Sequence, residues 1–354
     1  MTEIEQRVAE LAAGVPPVDH AAEAAARERH DQLTKPAGSL GGLEALGVRL
    51  AGMAGRCPPP VPQRPAVVVA AGDHGVLAQG VSPWPREVTA AMVAGIAGGR
   101  AAVNVLAGVV GAQVTVLDVG VATALAPHPR VRRAKVRAGT ADLSEGPAMT
   151  RTEAARAVLA GAGVTVELLD AGADLLVTGD MGIANTTTAA CLVAVFTGRP
   201  AGAVTGRGTG IDDATFAVKV KVVEQALGLH APEPADPLGV LAALGGLEHA
   251  ALAGLALAGA AARVPVVLDG VNADAAALAA RAFAPAVAGY LVAGHRSVEP
   301  GASAALDALG LDPLLDLGMR LGEGTGALLA VPIVRSAAAV LGGMATFAEA
   351  GFSS

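Results

Sequence analysis

The feature that most constrains this chain is a repeated local grammar. Short β-rich runs, each stopped by glycine, aspartate or histidine, alternate with segments of helical length. The runs are Ala66–Ala71, Val114–Val119, Leu175–Thr178, Ala203–Thr205, Pro265–Leu268 and Tyr290–Ala293, and their stops read AGDHG, DVG, TGDMG, TGRG, LDG and AGH. Such alternation predicts an α/β fold with a mostly parallel sheet flanked by helices. In an open parallel sheet, ligands bind outside the carboxyl ends of the strands. Asp73, His74, Asp118, Asp180, Arg207, Asp269 and His295 stand at those ends, so they are expected to converge on one crevice. The plainer reading is that Gly and Asp merely end strands.

Residues 1 to about 60 read as helical and end in the proline cluster CPPPVPQRP, the best candidate boundary. The segment after Asp312 is helical again and could pack with the N-terminal helices. This gives a large α/β domain over 61–312 and a small helical domain from 1–60 plus 313–354. Apolar residues are 53% of the chain, but much of that is alanine, with 46 glycines beside it. The core is therefore expected to rest on close backbone approach rather than on large side chains.

Several function classes fall away. Aromatics are 2% and the net charge is −7, which leaves neither stacking platforms nor a basic face for nucleic acid. The basic run His128 to Arg137 reads as a solvated edge strand or loop. Cys57 and Cys191 have no CxxC spacing, and the opening segment is acidic and helical rather than a basic leader. Ala250 to Ala262 is too short, and too rich in Ala and Gly, to span a bilayer. A cytoplasmic protein without a membrane partner is expected. No HxH, HExxH, GxSxG or GxxxxGK[ST] occurs, so no catalytic metal, serine triad or nucleotide-triphosphate loop is expected. The absence of GxGxxG leaves a dinucleotide-dependent oxidoreductase as a weak alternative.

Three segments carry candidate chemistry. In MRLGEGTG (319–326), Glu323 lies between two glycines ahead of a long apolar segment, Ala327 to Leu341. Partial desolvation there would raise its pKa towards general-base work, whereas the positive end of a following helix would hold it ionised. An exposed turn with a solvated Glu is the plainer alternative. In TGDMGIANTTTAA, Asn185 and Thr186–Thr188 stand at a predicted helix start, where backbone N–H groups and hydroxyls hold an anion or simply cap the helix. VTGRGTGIDD (204–213) repeats the arrangement, which suggests a phosphate gripped from two sides, with Lys219 on the next helix. Trp84, the only tryptophan, is flanked by prolines and suits the wall of a flat ligand, or a surface plug.

LTKPAGSLGGLE, AGDHGV, GVSPWPREVTAAMV, GDMGIANTTTAA, VTGRGTGIDD, LDGVNADAAALAA, GHRSVEPGA and MRLGEGTGALLA occur together and in order between residues 33 and 330. The chain closely resembles the nicotinate-nucleotide–dimethylbenzimidazole phosphoribosyltransferases, enzymes of cobalamin nucleotide-loop assembly. The resemblance covers roughly Thr34 to the C-terminus. It implies a doubly wound α/β domain with a small helical domain, a homodimer and no metal or other cofactor. It implies transfer of ribose 5-phosphate from nicotinate mononucleotide to 5,6-dimethylbenzimidazole, with inversion at C1′ and Glu323 as general base. By motif matching, Gly182, Gly208, Gly270 and Ser297, with Asn185 and Thr186, contact the donor phosphate. Asp180 and Lys219 sit near the nicotinate ring, and Trp84, Met92, Met181 and Leu321 line the benzimidazole pocket. Two residues depart from the pattern. GDMG replaces the usual GEMG, so the shorter Asp180 is expected to reach its partner only through water. Trp84 replaces a more usual Tyr or Phe, which opens the acceptor site to smaller or phenolic bases. Two other readings remain: the same transfer to another base, and a catalytically silent nucleotide-binding protein.

Overall fold

A computed structural model describes residues 2–351. Its centre is a six-stranded sheet: β1 (Pro65–Gly72), β2 (Gln113–Gly120), β3 (Val131–Arg133), β4 (Leu175–Met181), β5 (Val266–Leu268) and β6 (Leu291–Ala293). The order is β3-β2-β1-β4-β5-β6, and every pairing is parallel. Chain order runs outward from β1 to one edge, then resumes from β4 to the other, so the sheet is doubly wound. All eight residues of β1 are buried, which is why PAVVVAAG reads as one unbroken apolar run.

Five of the six expected strands form. The exception is Ala203–Thr205: Ala201–Val204 is a single helical turn after Pro200, and the chain enters the cleft from there. Proline starts a helical turn readily, and so short a run has no periodicity to tell strand from helix. The sixth strand is instead β3, inside the basic run, where it borders β2 as an exposed edge.

Helices cover both faces. Helices 151–170, 247–261 and 271–283 lie on one side, and helices 87–97, 102–110 and 325–343 on the other. Close approach does replace bulk where two of these helices cross. A Cβ on Gly161 would stand 1.8 Å from the Ala251 carbonyl oxygen, and one on Gly254 would stand 1.9 Å from that of Val158. Either contact is far inside van der Waals distance, so both positions need glycine.

Helices 20–32, 42–54 and 325–343 pack together, sharing Ala26, Val48, Ala51 and Leu341, and an isolated bridge joins Leu33 to Thr346. Helix 3–13 packs instead on helices 151–170 and 247–261. Two segments, Glu87–Val110 and Thr325–Gly343, are long and apolar enough to cross a membrane by length and composition. The first is broken into two helices by the turn at Gly98–Arg100. The second is a core strut: its Arg335 donates to the carbonyls of Pro62, Gln63 and Val110.

Candidate active site

A cleft of about 820 Å³, part of it open to solvent, lies at the carboxyl ends of β4, β5 and β6. The end of β4 and the turn after it bring Asp180, Met181, Gly182, Asn185 and Thr186, and the segment after the 201–204 turn brings Arg207 and Gly208. Gly270 and Asn272 follow β5; His295, Ser297 and Glu299 follow β6. Val81 and Ser82 come from the loop after β1, and Arg320, Leu321 and Gly322 from the segment before Glu323. Ten of the thirteen predicted site residues therefore share one cleft.

The expectation for the strand ends needs correction. Asp180, Arg207 and His295 line the cleft, whereas Asp73, His74, Asp118 and Asp269 do not. Asp73 and Asp118 are spent on loop closure, accepting from the backbone N–H of Ala122 at 2.7 Å and of Val121 at 3.0 Å. Trp84 and Met92 also lie outside the lining. Trp84, in the loop that follows the lining residue Ser82, is 51% exposed, and Met92 is half-buried on the helix beyond it.

Helix 185–197 starts where predicted, and three polar residues of its first turn have separate tasks, whereas Thr187 Oγ1 is buried without a hydrogen-bond partner. Asn185 Nδ2 donates to Asp180 Oδ2 at 2.8 Å. Thr186 Oγ1 accepts from Lys219 Nζ at 2.8 Å, and Thr188 Oγ1 lies 3.2 Å from His74 Nδ1. Lys219 is 1% exposed and also donates to the Gly206 carbonyl, so it is not a solvated surface lysine. Burial lowers its pKa to about 8, against the opposing charge of Glu299. Glu299 in turn accepts from the Gly208 N–H at 2.8 Å and holds the second glycine turn.

Asp180 reaches its side-chain partners directly, without water. Asn185 and Asn272 both donate to Oδ2, at 2.8 and 2.7 Å, leaving Oδ1 without either amide. Burial, then the nearby Asp269 charge, push its pKa up to about 7. Behind Asn272 lies a polar interior that spacing gave no reason to connect with the site. His249 Nε2 is 3.2 Å from Asn272 Oδ1, and Glu248 sits 2.8 Å from both His249 Nδ1 and His74 Nε2. Neither of these last contacts has hydrogen-bond alignment. Burial works to raise the Glu248 pKa, but the two histidines hold it well below the usual carboxylate range. The adjacent pair Glu248-His249 inside an otherwise apolar helix was the available signal.

Glu323 is 3% exposed, so the solvated-turn reading fails. Gly322, Glu323 and Gly324 have φ of 84°, 64° and 89°, three successive left-handed residues of which only the middle one has a side chain. The glycines serve this backbone path, which carries the turn tightly across β4. A Cβ on Gly179 would meet the Glu323 carbonyl oxygen at 2.6 Å. Glu323 Oε2 is buried with no hydrogen-bond partner, while Leu321 and Gly322 beside it line the cleft. Burial first, then Asp269, raise its pKa. Desolvation thus wins over the helix end, and the reason is visible. The N–H groups of Gly324, Gly326 and Ala327 at the start of helix 325–343 all point to Asp269.

The profile of a phosphoribosyltransferase family matches residues 15–352. The chain belongs to that family. The phosphoribosyltransferase is 59% identical over 353 residues to a nicotinate-nucleotide–dimethylbenzimidazole phosphoribosyltransferase of Salinispora tropica, covering 96% of this chain and 97% of that one. It is 57% identical over 337 residues to the protein of that name in Chloroflexus aggregans, covering 95% of each. A crystal structure of such an enzyme from Thermus thermophilus superposes with a TM-score of 0.90 at 50% identity, covering 95% of this chain and 99% of that one.

Proposed function

We propose that this phosphoribosyltransferase moves ribose 5-phosphate from nicotinate mononucleotide to 5,6-dimethylbenzimidazole, yielding α-ribazole 5′-phosphate and nicotinate for cobalamin assembly. The observation that carries the reading is Glu323: a buried carboxylate with an unpartnered oxygen, held beside a cleft of glycine turns and a buried lysine. The names of its relatives support the same substrates.

The chemistry needs one carboxylate. A benzimidazole ring nitrogen attacks C1′ from the face opposite nicotinate, and the C1′–N bond breaks with its electron pair moving to the pyridinium nitrogen. Nicotinate leaves with a neutral ring, so no acid is required. The other benzimidazole nitrogen sheds its proton to Glu323, whose raised pKa suits a base. Alignment of both rings with C1′ supplies much of the remaining rate. We assign the donor phosphate to Gly182, Gly208, Gly270 and Ser297 with Asn185 and Thr186, and the ring end to Lys219 and Asp180, with Arg320 added at the mouth. Arg320 donates 3.0 Å to the Gly208 carbonyl and ties the two walls together.

In this reading the protein is a cytoplasmic homodimer. We assign residues 1–60 with 313–354 to its small helical unit, within which helices 20–32, 42–54 and 325–343 pack together while helix 3–13 lies against helices 151–170 and 247–261; residues 1 and 352–354 lie outside the described residues. Val105 and Val109, 65% and 77% exposed and one turn apart, give helix 102–110 an apolar face for a second copy. Another acceptor base is the second reading, favoured by the position of Trp84 and Met92 outside the cleft lining.

The test mixes purified protein with nicotinate mononucleotide and 5,6-dimethylbenzimidazole and follows products by chromatography with mass detection. Equal amounts of nicotinate and α-ribazole phosphate are expected. Nicotinate without the ribazole points to another acceptor, and an unconsumed donor to a silent binder.

A further inference from the structure

Asp269 follows β5 in the LDG stop and lies outside the cleft lining, yet its carboxylate is among the most heavily committed in the molecule. Oδ2 accepts from the Gly324 N–H at 3.0 Å; Oδ1 accepts from Gly326 at 2.7 Å and Ala327 at 3.0 Å. His295 Nε2 stands 3.6 Å from Oδ1. Asp269 is itself fixed from the neighbouring strand, since its N–H donates to Thr178 Oγ1, which donates to the Val267 carbonyl. Three backbone donors, all within four residues of Glu323, thus converge on one buried side chain anchored in the sheet.

The segment they hold would not otherwise stay in place. Glu323 has φ of 64°, a conformation that disfavours any side chain, and it lies between two glycines that impose no preference of their own. Within the same segment Thr325 closes the turn, its Oγ1 and N–H both donating to the Gly322 carbonyl on the far side of Glu323, at 2.8 and 3.1 Å. The path of Glu323 is therefore set by bonds to its neighbours, not by its own side chain. We propose that Asp269 is a positioning residue for catalysis: it clamps the Gly322–Gly324 turn to the end of β5 so that the Glu323 carboxylate is presented to the acceptor. The assignment rests on Glu323 being the general base.

The test is a double-mutant cycle on the full chain, with kcat and donor KM measured for Asp269→Asn, Glu323→Gln and the double variant. Asparagine keeps the volume but turns an NH2 towards backbone donors that need an acceptor. Asp269→Asn is expected to lower kcat about ten- to a hundredfold, with donor KM within about twofold, as for a misplaced base. The double variant should be no slower than Glu323→Gln alone, because a base already removed cannot be misplaced. Wild-type kcat in Asp269→Asn, or two losses that multiply, overturns the proposal. A near-normal rate in Glu323→Gln instead overturns the base reading itself, so the two failures are distinct. Should Asp269→Asn not fold, Thr325→Val and Thr325→Ser probe the same turn through its bond to the Gly322 carbonyl. The valine variant should lose kcat at constant donor KM and the serine variant should restore it; equal rates in both overturn the proposal.

Discussion

Lys219 Nζ donates to Thr186 Oγ1 at 2.8 Å and to the Gly206 carbonyl at 2.9 Å. One buried ammonium therefore ties together the helix start after β4 and the glycine turn that follows it in sequence. The segments GDMGIANTTT and VTGRGTG are thereby joined through one side chain. A cation kept dry in this way attracts an anion more strongly than a surface lysine does, and it loses its proton more easily.

Lys219 makes donor binding sensitive to pH on the alkaline side. Its pKa is lowered to about 8, so the charge is present below that pH and lost as pH rises through it. Donor KM should climb above about pH 8 in the wild type. Lys219→Ala should raise donor KM roughly ten- to a hundredfold at neutral pH, the worth of a charge-assisted hydrogen bond, and abolish the alkaline rise. Steady-state kinetics on both sides of that pH check it.

Glu323→Gln should cost turnover on the order of 10² to 10⁴-fold, the usual range for a lost general base, with donor KM little changed. The amide keeps the shape but cannot accept the proton. Wild-type kcat should fall as pH drops through the Glu323 pKa, which burial and Asp269 place above the ordinary value near ~4.3. A pH–rate profile that levels off only below that ordinary value would contradict the raised pKa.

Asp180 makes stability fall, not rise, with pH. Its folded pKa of about 7 exceeds the ordinary value of 3.8, so between these pH values the native chain holds a proton that the unfolded chain has released. Native protein binding more protons than unfolded means stability decreases as pH rises through that window. Asp180→Asn should remove this contribution, which urea melts of both proteins at several pH values will show as a flatter dependence.

Glu248 is a structural charge. It lies between His74 and His249 with all three side chains fully buried. Glu248→Ala removes the carboxylate packed 2.8 Å from both buried imidazoles and should cost about 3–5 kcal/mol, read from denaturant unfolding. Through His249 and Asn272 the loss should also loosen Asp180 and raise donor KM in whatever fraction stays folded.

The sequence by itself determined the sheet, the order of its loops and most of the cleft. Those features are written locally: fully buried parallel strands leave unbroken apolar runs, and chain stops at their carboxyl ends must gather on one edge. Residues such as Gly182, Asn185, Gly208 and Ser297 were legible for that reason. The run Ala203–Thr205 was misread because three or four apolar residues look alike in a strand and in one helical turn. Flanking prolines say that the Trp84 loop is stiff, not which way it points, and the structure leaves Trp84 outside the cleft lining. Only the tertiary structure decided the charge environment of Glu323. The sequence leaves desolvation and a helix end in opposition, and nothing in it says that Asp269, more than fifty residues earlier, takes the helix end's N–H groups for itself. The same holds for Asn272, His249 and Glu248, whose link to Asp180 exists only where two helices and a strand end meet. Hydrogen bonds between distant segments depend on ångström-scale placement of backbones, and no periodicity or spacing in a chain encodes that placement one residue at a time.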